Sequence, residues 1–133
     1  MATDRVALLA CVALACFGCK KPVEGGVHLE DVQSTFEKAD WKRAPFAAAD
    51  AGKFSAQKCV SSTIEGVDVL LCEFGSEEAK QRGKRAVEAW VAEAVTGAAL
   101  DNGRTVLGLA DRSRADPNGK IIHQVTKAYR AIK

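Results

Sequence analysis

The chain has 133 residues, with 19 Lys and Arg against 17 Asp and Glu and a net charge of +2. Such a length holds one domain plus a leader, and the interleaved, nearly balanced charge gives no electrostatic footprint for nucleic acid. Without the leader about 115 residues remain, enough for one modest hydrophobic core.

Arg5 opens the leader and is followed by an uncharged run, residues 6–15, and then by Cys16-Phe17-Gly18-Cys19. The run is too short for a permanent membrane helix, which needs about 20 apolar residues. It suits the apolar region of an export signal. With Gly18 placed directly before Cys19, the segment resembles the signal peptide of bacterial lipoproteins. The resemblance covers residues 1–19 only. It implies removal of residues 1–18 as a signal peptide, a lipid on the Cys19 thiol (Cys16 is the alternative), and a chain held in the bacterial cell envelope, facing the periplasm or the exterior. Ala13-Leu14-Ala15 is also an A-x-A site, which would yield a soluble secreted protein. Cys16 and Cys19 further share the spacing of a redox pair or half a zinc site. No strand precedes them, however, and His28 and His123 are the only histidines. Of the five cysteines, cleavage before Cys19 leaves one for the lipid and two, Cys59 and Cys72, to pair.

Residues 19–26 form a tether, charged and interrupted by Pro22 and Gly25-Gly26. Leu29, Val32, Phe36 and Ala39 recur at helical spacing and predict a first helix over residues 28–40, with Glu30 and Asp31 favouring its amino end. Trp41 is placed to fold back on that stripe. Residues 42–52 carry Pro45 and an alanine-rich stretch without periodicity, and read as a loop or a broken short helix.

Residues 54–74 predict a hairpin turning at Glu65-Gly66. Counting outward from that turn, Ile64 faces Val67, Ser62 faces Val69, Val60 faces Leu71 and Cys59 faces Cys72. The cysteines then fall on a non-hydrogen-bonded pair, where side chains approach most closely, so a disulfide is expected. The same register gathers Val60, Ile64, Val67, Val69 and Leu71 on one face. Ser61, Thr63, Asp68, Leu70 and the cysteines take the other.

Ser76 caps a predicted helix over residues 76–94, whose inner stripe begins with the small residues Ala79 and Gly83. Asn102-Gly103 marks a second hairpin over residues 96–110, pairing Leu100 with Thr105 and Ala99 with Val106. A charged loop, residues 111–115, leads to Asp116-Pro117 as the start of the last helix, which turns Ile121, Val125, Ala128 and Ile132 inward.

The expected fold class is α+β: a single small domain over residues 27–133, made of two helix-plus-hairpin units and a C-terminal helix. Its sheet has four mainly antiparallel strands, with the helices on one face. Catalysis by Ser or Cys requires a neighbouring base and a group that orients it, and no such set stands out. No metal-ligand spacing or cofactor motif is present. Arg112, Arg114 and Lys120 lie near a predicted helix amino terminus and are the residues expected to meet an anion or an acidic partner. The leading expectation is a lipid-anchored binding, adaptor or inhibitor module that acts on an envelope protein without catalysis. The alternative is a small secreted or periplasmic hydrolase.

Overall fold

A computed structural model describes residues 26–133. The expected signal peptide, the expected lipid attachment at Cys19 or Cys16, and all of the expected tether except Gly26 lie outside the described residues.

Three helices and five strands follow one another as α1 (Leu29–Lys38), β1 (Ala47–Ala49), β2 (Lys58–Ile64), β3 (Val67–Glu73), α2 (Glu77–Val91), β4 (Thr96–Asn102), β5 (Thr105–Asp111) and α3 (Lys120–Arg130), with a short 3-10 turn at Gly52–Phe54 after β1. The domain is α+β, and its sheet is antiparallel in the order β1-β2-β3-β5-β4. β5 lies between β3 and β4 and runs opposite to both. β3 and β4 are therefore parallel and need the long crossover that α2 supplies. That crossover merges the two expected helix-plus-hairpin units into one sheet.

The β2–β3 hairpin has the predicted register throughout, from Ile64 opposite Val67 to Cys59 opposite Cys72. Glu65 and Gly66 have φ of 50° and 87°, the two positive values that a twisted two-residue turn demands. Gly66 is needed twice over, because a Cβ there would also lie 2.6 Å from that of Ala115. A disulfide joins Cys59 and Cys72, whose Cα atoms are 4.1 Å apart, as expected of a non-hydrogen-bonded pair.

Four expectations need correction. The sheet has five strands, since Ala47–Ala49, expected in a loop, pairs with Ser61, Val60 and Cys59 of β2. Polyalanine carries no alternation to announce a strand; the outward backbone groups of β2 recruit it. The helices occupy both faces. α1 and α3 bury Val60, Ile64, Val67, Val69, Leu71, Leu107 and Leu109. The opposite face carries Cys59, Leu70, Cys72 and Val106, which also need cover, and α2 provides it through Val87, Ala79 and Ala86. Gly83 lets α2 close in, because a Cβ there would sit 2.2 Å from the Phe74 ring.

The second hairpin turns at Gly103-Arg104, one residue later than expected, so that Asn102 faces Thr105 and Leu100 faces Leu107. Only Gly103 of that pair has positive φ, 59°, which selects the turn with glycine first. Asn102 is drawn into β4 because its amide donates to Tyr129 O and Ile132 O, both at 3.0 Å, at the carboxyl end of α3. Finally, α3 starts at Lys120 and not at Pro117. Asp116 still caps it, from a turn away. Its carboxylate accepts from Ile121 N at 3.0 Å and Ile122 N at 2.9 Å, while Gly119 holds the cap position without a side chain.

The other helices match more closely. Phe36 is fully buried in α1, and Trp41 does fold back to meet it edge-on at 5.7 Å. Ser76 Oγ caps α2 by accepting from Ala79 N at 3.2 Å. Among the described residues no helix is long and apolar enough to cross a membrane.

Candidate functional site

α2 lies over β5 and β4 and leaves the β1–β2 side of its face uncovered. The result is an open groove of about 660 Å³. Its floor is built by the polar-face residues of the first hairpin, Ser61, Thr63, Asp68 and Leu70. Ala47 and Ala49 of β1 extend that floor toward the sheet edge. Phe54 and Lys53 stand at the end nearest the disulfide, with the ammonium 5.7 Å from the ring centre. Trp90 and Arg112 form the wall on the α2 side. The lining is predominantly apolar, with hydroxyls and one ion pair set into it.

Arg112 holds that wall in place. Its guanidinium stacks 4.3 Å from the centre of the Trp90 ring. One nitrogen donates to Trp90 O at 2.5 Å, near the end of α2, and another to Asp68 Oδ2 at 3.1 Å. A cation on a carbonyl of the last helical turn also suits the helix dipole. Of the three cations expected to meet an anion, Arg112 therefore lines the groove but already has internal partners. Arg114 is exposed in the loop at φ 60°, and Lys120 is exposed at the start of α3. The structure does not gather them around free donors. Asp116 occupies the helix N–H groups, and the carboxylate of Asp111, itself buried, accepts from Ala115 N and Asp116 N at 2.9 Å each. The backbone at the end of the charged loop and the start of α3 is thus held by the loop's own acids, Asp111 and Asp116.

The two histidines do not meet the groove. His123 is exposed on α3. His28 stands before α1, with Nδ1 3.4 Å from Glu73 Oε2 and Glu30 close by. This trio has the donor types of a metal site, but its carboxylates serve other groups. Glu73 accepts from Leu29 N at 2.6 Å, and Glu30 lies 3.7 Å from Lys58 Nζ. A helix amino terminus also disfavours a cation.

Two further polar groups tie the layers together. Asp101 on β4 faces α2, where Lys84 Nζ lies at 2.8 Å and Lys80 Nζ at 3.3 Å. Burial pushes the Asp101 carboxyl up, but the bonds and charges of both lysines outweigh it and hold it below its ordinary value. Its hydrogen bond raises Lys84 in turn. On the other face, Tyr129 is fully buried, 2.7 Å from Thr105 Oγ1, and donates to Thr105 O at 3.1 Å. Burial drives its hydroxyl far above the usual phenol range.

Comparison with protein-family models, curated proteins and solved structures finds no match to this chain. The groove residues had one signal in the sequence: Ser61, Thr63 and Asp68 alternate onto one face of the hairpin. Phe54 and Lys53 had none, and Trp90 had only its place on the apolar stripe of α2, because all three reach the groove only through the packing of α2 and the 3-10 turn.

Proposed function

We propose that this chain is a non-catalytic binding module of the bacterial cell envelope, anchored by a lipid on Cys19, which holds a segment of an envelope protein in the groove. The observation that carries the reading is the sheet surface left open between β1 and Trp90, with the disulfide stapling the same face at its Phe54 end. Apolar floor residues suit a partner's side chains. The hydroxyls of Ser61 and Thr63 suit its backbone groups. A rigid, stapled platform loses little conformational freedom on binding, which favours affinity. The leader supports the location, and the disulfide fits an oxidising compartment.

Ser61→Arg fills the groove from its floor. Cross-linked capture from native membranes, run with wild type and this variant side by side, tests the site. A partner held by wild type and lost by the variant at unchanged melting temperature supports the groove. Equal capture by both refutes it. Mass spectrometry of the mature amino terminus separates a lipid-bearing Cys19 from an uncut or soluble chain.

A second reading, hydrolysis, draws on Asp50 and Asp68, two carboxylates that line the same groove. Against it, Asp68 is paired with Arg112 and the groove is open to water. Turnover of an ester, peptide or glycoside substrate that is abolished by Asp50→Asn or Asp68→Asn would replace the binding reading with this one.

A further inference from the structure

The sheet ends at β4, and among the described residues the backbone groups along that edge are unpaired. In a two-residue hairpin the residues beside the loop exchange both backbone bonds, and bonded pairs then alternate with unbonded ones. Asn102, Leu100, Ala98 and Thr96 accordingly bond inward to β5, while Gly97, Ala99 and Asp101 turn their N–H and C=O groups outward. Among the described residues these outward groups have no backbone partner. Edge strands are normally protected by a lysine, a proline, a bulge or extreme shortness. β4 is seven residues long and reads TGAALDN, and its one such feature is the inward-pointing charge of Asp101, which Lys84 and Lys80 neutralise. The opposite edge differs: β1 is only three residues long.

We propose that β4 pairs antiparallel with β4 of a second copy of this chain, about a two-fold axis at Ala99, to make a continuous ten-stranded sheet (twice the five strands of one copy). Three features select a second copy as the occupant. First, the strand is self-complementary in this register. Ala99 meets its own counterpart, and Gly97 meets Asp101 of the other copy, so the acids are kept apart and about six backbone bonds form. Second, the spacing fits. α2 packs over both β4 and β5. Strands about 4.8 Å apart then place the two α2 helices about 10 Å from each other, which is a helix-packing distance. Third, the charges fit. Lys84 stands over Asp101, whereas Val91, at the end of α2, stands over Gly97. The two-fold therefore sets Lys84 of each copy beside the negative carboxyl end of the other α2, with the exposed Glu88 between them. The groove lies at the β1–β3 side of the sheet and stays open in such a dimer.

The test uses the full chain. Sedimentation equilibrium across a concentration series is expected to show a monomer–dimer transition. Amide hydrogen exchange is expected to slow at Gly97, Ala99 and Asp101 as the dimer forms. Ala99→Pro removes the two central bonds and no bond within the monomer, and should weaken association at least about tenfold, equivalent to about 1.4 kcal/mol. Glu88→Lys replaces the acid that lies between the two Lys84 side chains by a further cation, and should weaken association without touching the core. If the proline variant misfolds, the exchange data on wild type decide alone. A chain that stays monomeric to about 1 mM, or a dimer whose three β4 amides exchange as fast as in the monomer, overturns the proposal. Protection of those amides in a chain that sediments as a monomer would mean that another segment occupies the edge, and overturns it likewise.

Discussion

Replacing both bridged cysteines with alanine tests the element that braces the groove. Cys59 and Cys72 are separated by 13 positions, so the bridge closes a loop of about 14 residues and restricts the unfolded chain by about 3 kcal/mol. Both side chains are buried, 2% and 0% exposed, and removing each sulfur forfeits packing worth about 1 kcal/mol. The Glu65-Gly66 turn opposes part of this effect, because it keeps the two strands near each other even in an unbridged chain. Urea unfolding of Cys59→Ala/Cys72→Ala should therefore show a loss of about 3–5 kcal/mol, and calorimetry a melting point lower by at least about 12 °C. Wild type unfolded in the presence of a thiol reductant isolates the bridge from the sulfur packing, since the side chains remain. A loss under about 1 kcal/mol in the double variant would refute the reasoning. The turn and the apolar face would then hold the register unaided, and the bridge would constrain nothing.

Other perturbations test the remaining joints of the fold. Asp116→Ala strips two amino-terminal N–H groups of α3 of their acceptor and should cost about 2 kcal/mol in urea unfolding, with helix content otherwise retained. Gly66→Ala introduces both a positive-φ side chain and a clash with Ala115, and should lower the melting temperature more than Ala115→Gly does. Tyr129 is neutral when folded and ionises near the ordinary phenol value of 10.0 once unfolded, so its contribution is complete below that pH and is lost as pH rises above it. Urea titrations between about pH 9 and 11 should show this alkaline loss in wild type and not in Tyr129→Phe. Asp101 behaves oppositely. Its folded carboxyl lies below the ordinary aspartate value of 3.8, so its stabilisation is present above that pH and fades as pH falls through the folded value, an acid dependence that Asp101→Asn should lack.

The first hairpin was legible in the chain because three local signals coincide there. The Glu65-Gly66 turn, the alternation of Val67, Val69 and Leu71, and the two cysteines all demand the same register. A period-2 strand that slips by one residue reverses every side chain, so such a pattern tolerates no alternative. The helices were legible from their apolar stripes and caps. Ser76 caps α2 as its sequence position announces, and Asp116 caps α3 even though the helix begins later than Pro117 suggests.

Tertiary contact alone decided the rest. Ala47–Ala49 has no strand pattern of its own and becomes β1 because β2 presents it with unpaired backbone groups. The turn at Gly103 moved by one residue because the Asn102 amide is taken by carbonyls at the end of α3, 27 and 30 positions away. The side of the sheet on which α2 lies followed from which face still had Leu70 and Val106 to bury, a quantity no single segment records. For the same reason the groove was hidden. Its hydroxyls alternate visibly along one hairpin, but Trp90, Arg112 and Phe54 come from three separated segments and meet only when the layers close. Local sequence determines which way a strand or helix faces, because that depends on spacing along the chain; what each face meets depends on buried area summed over the whole domain, and that exists only once the chain has folded.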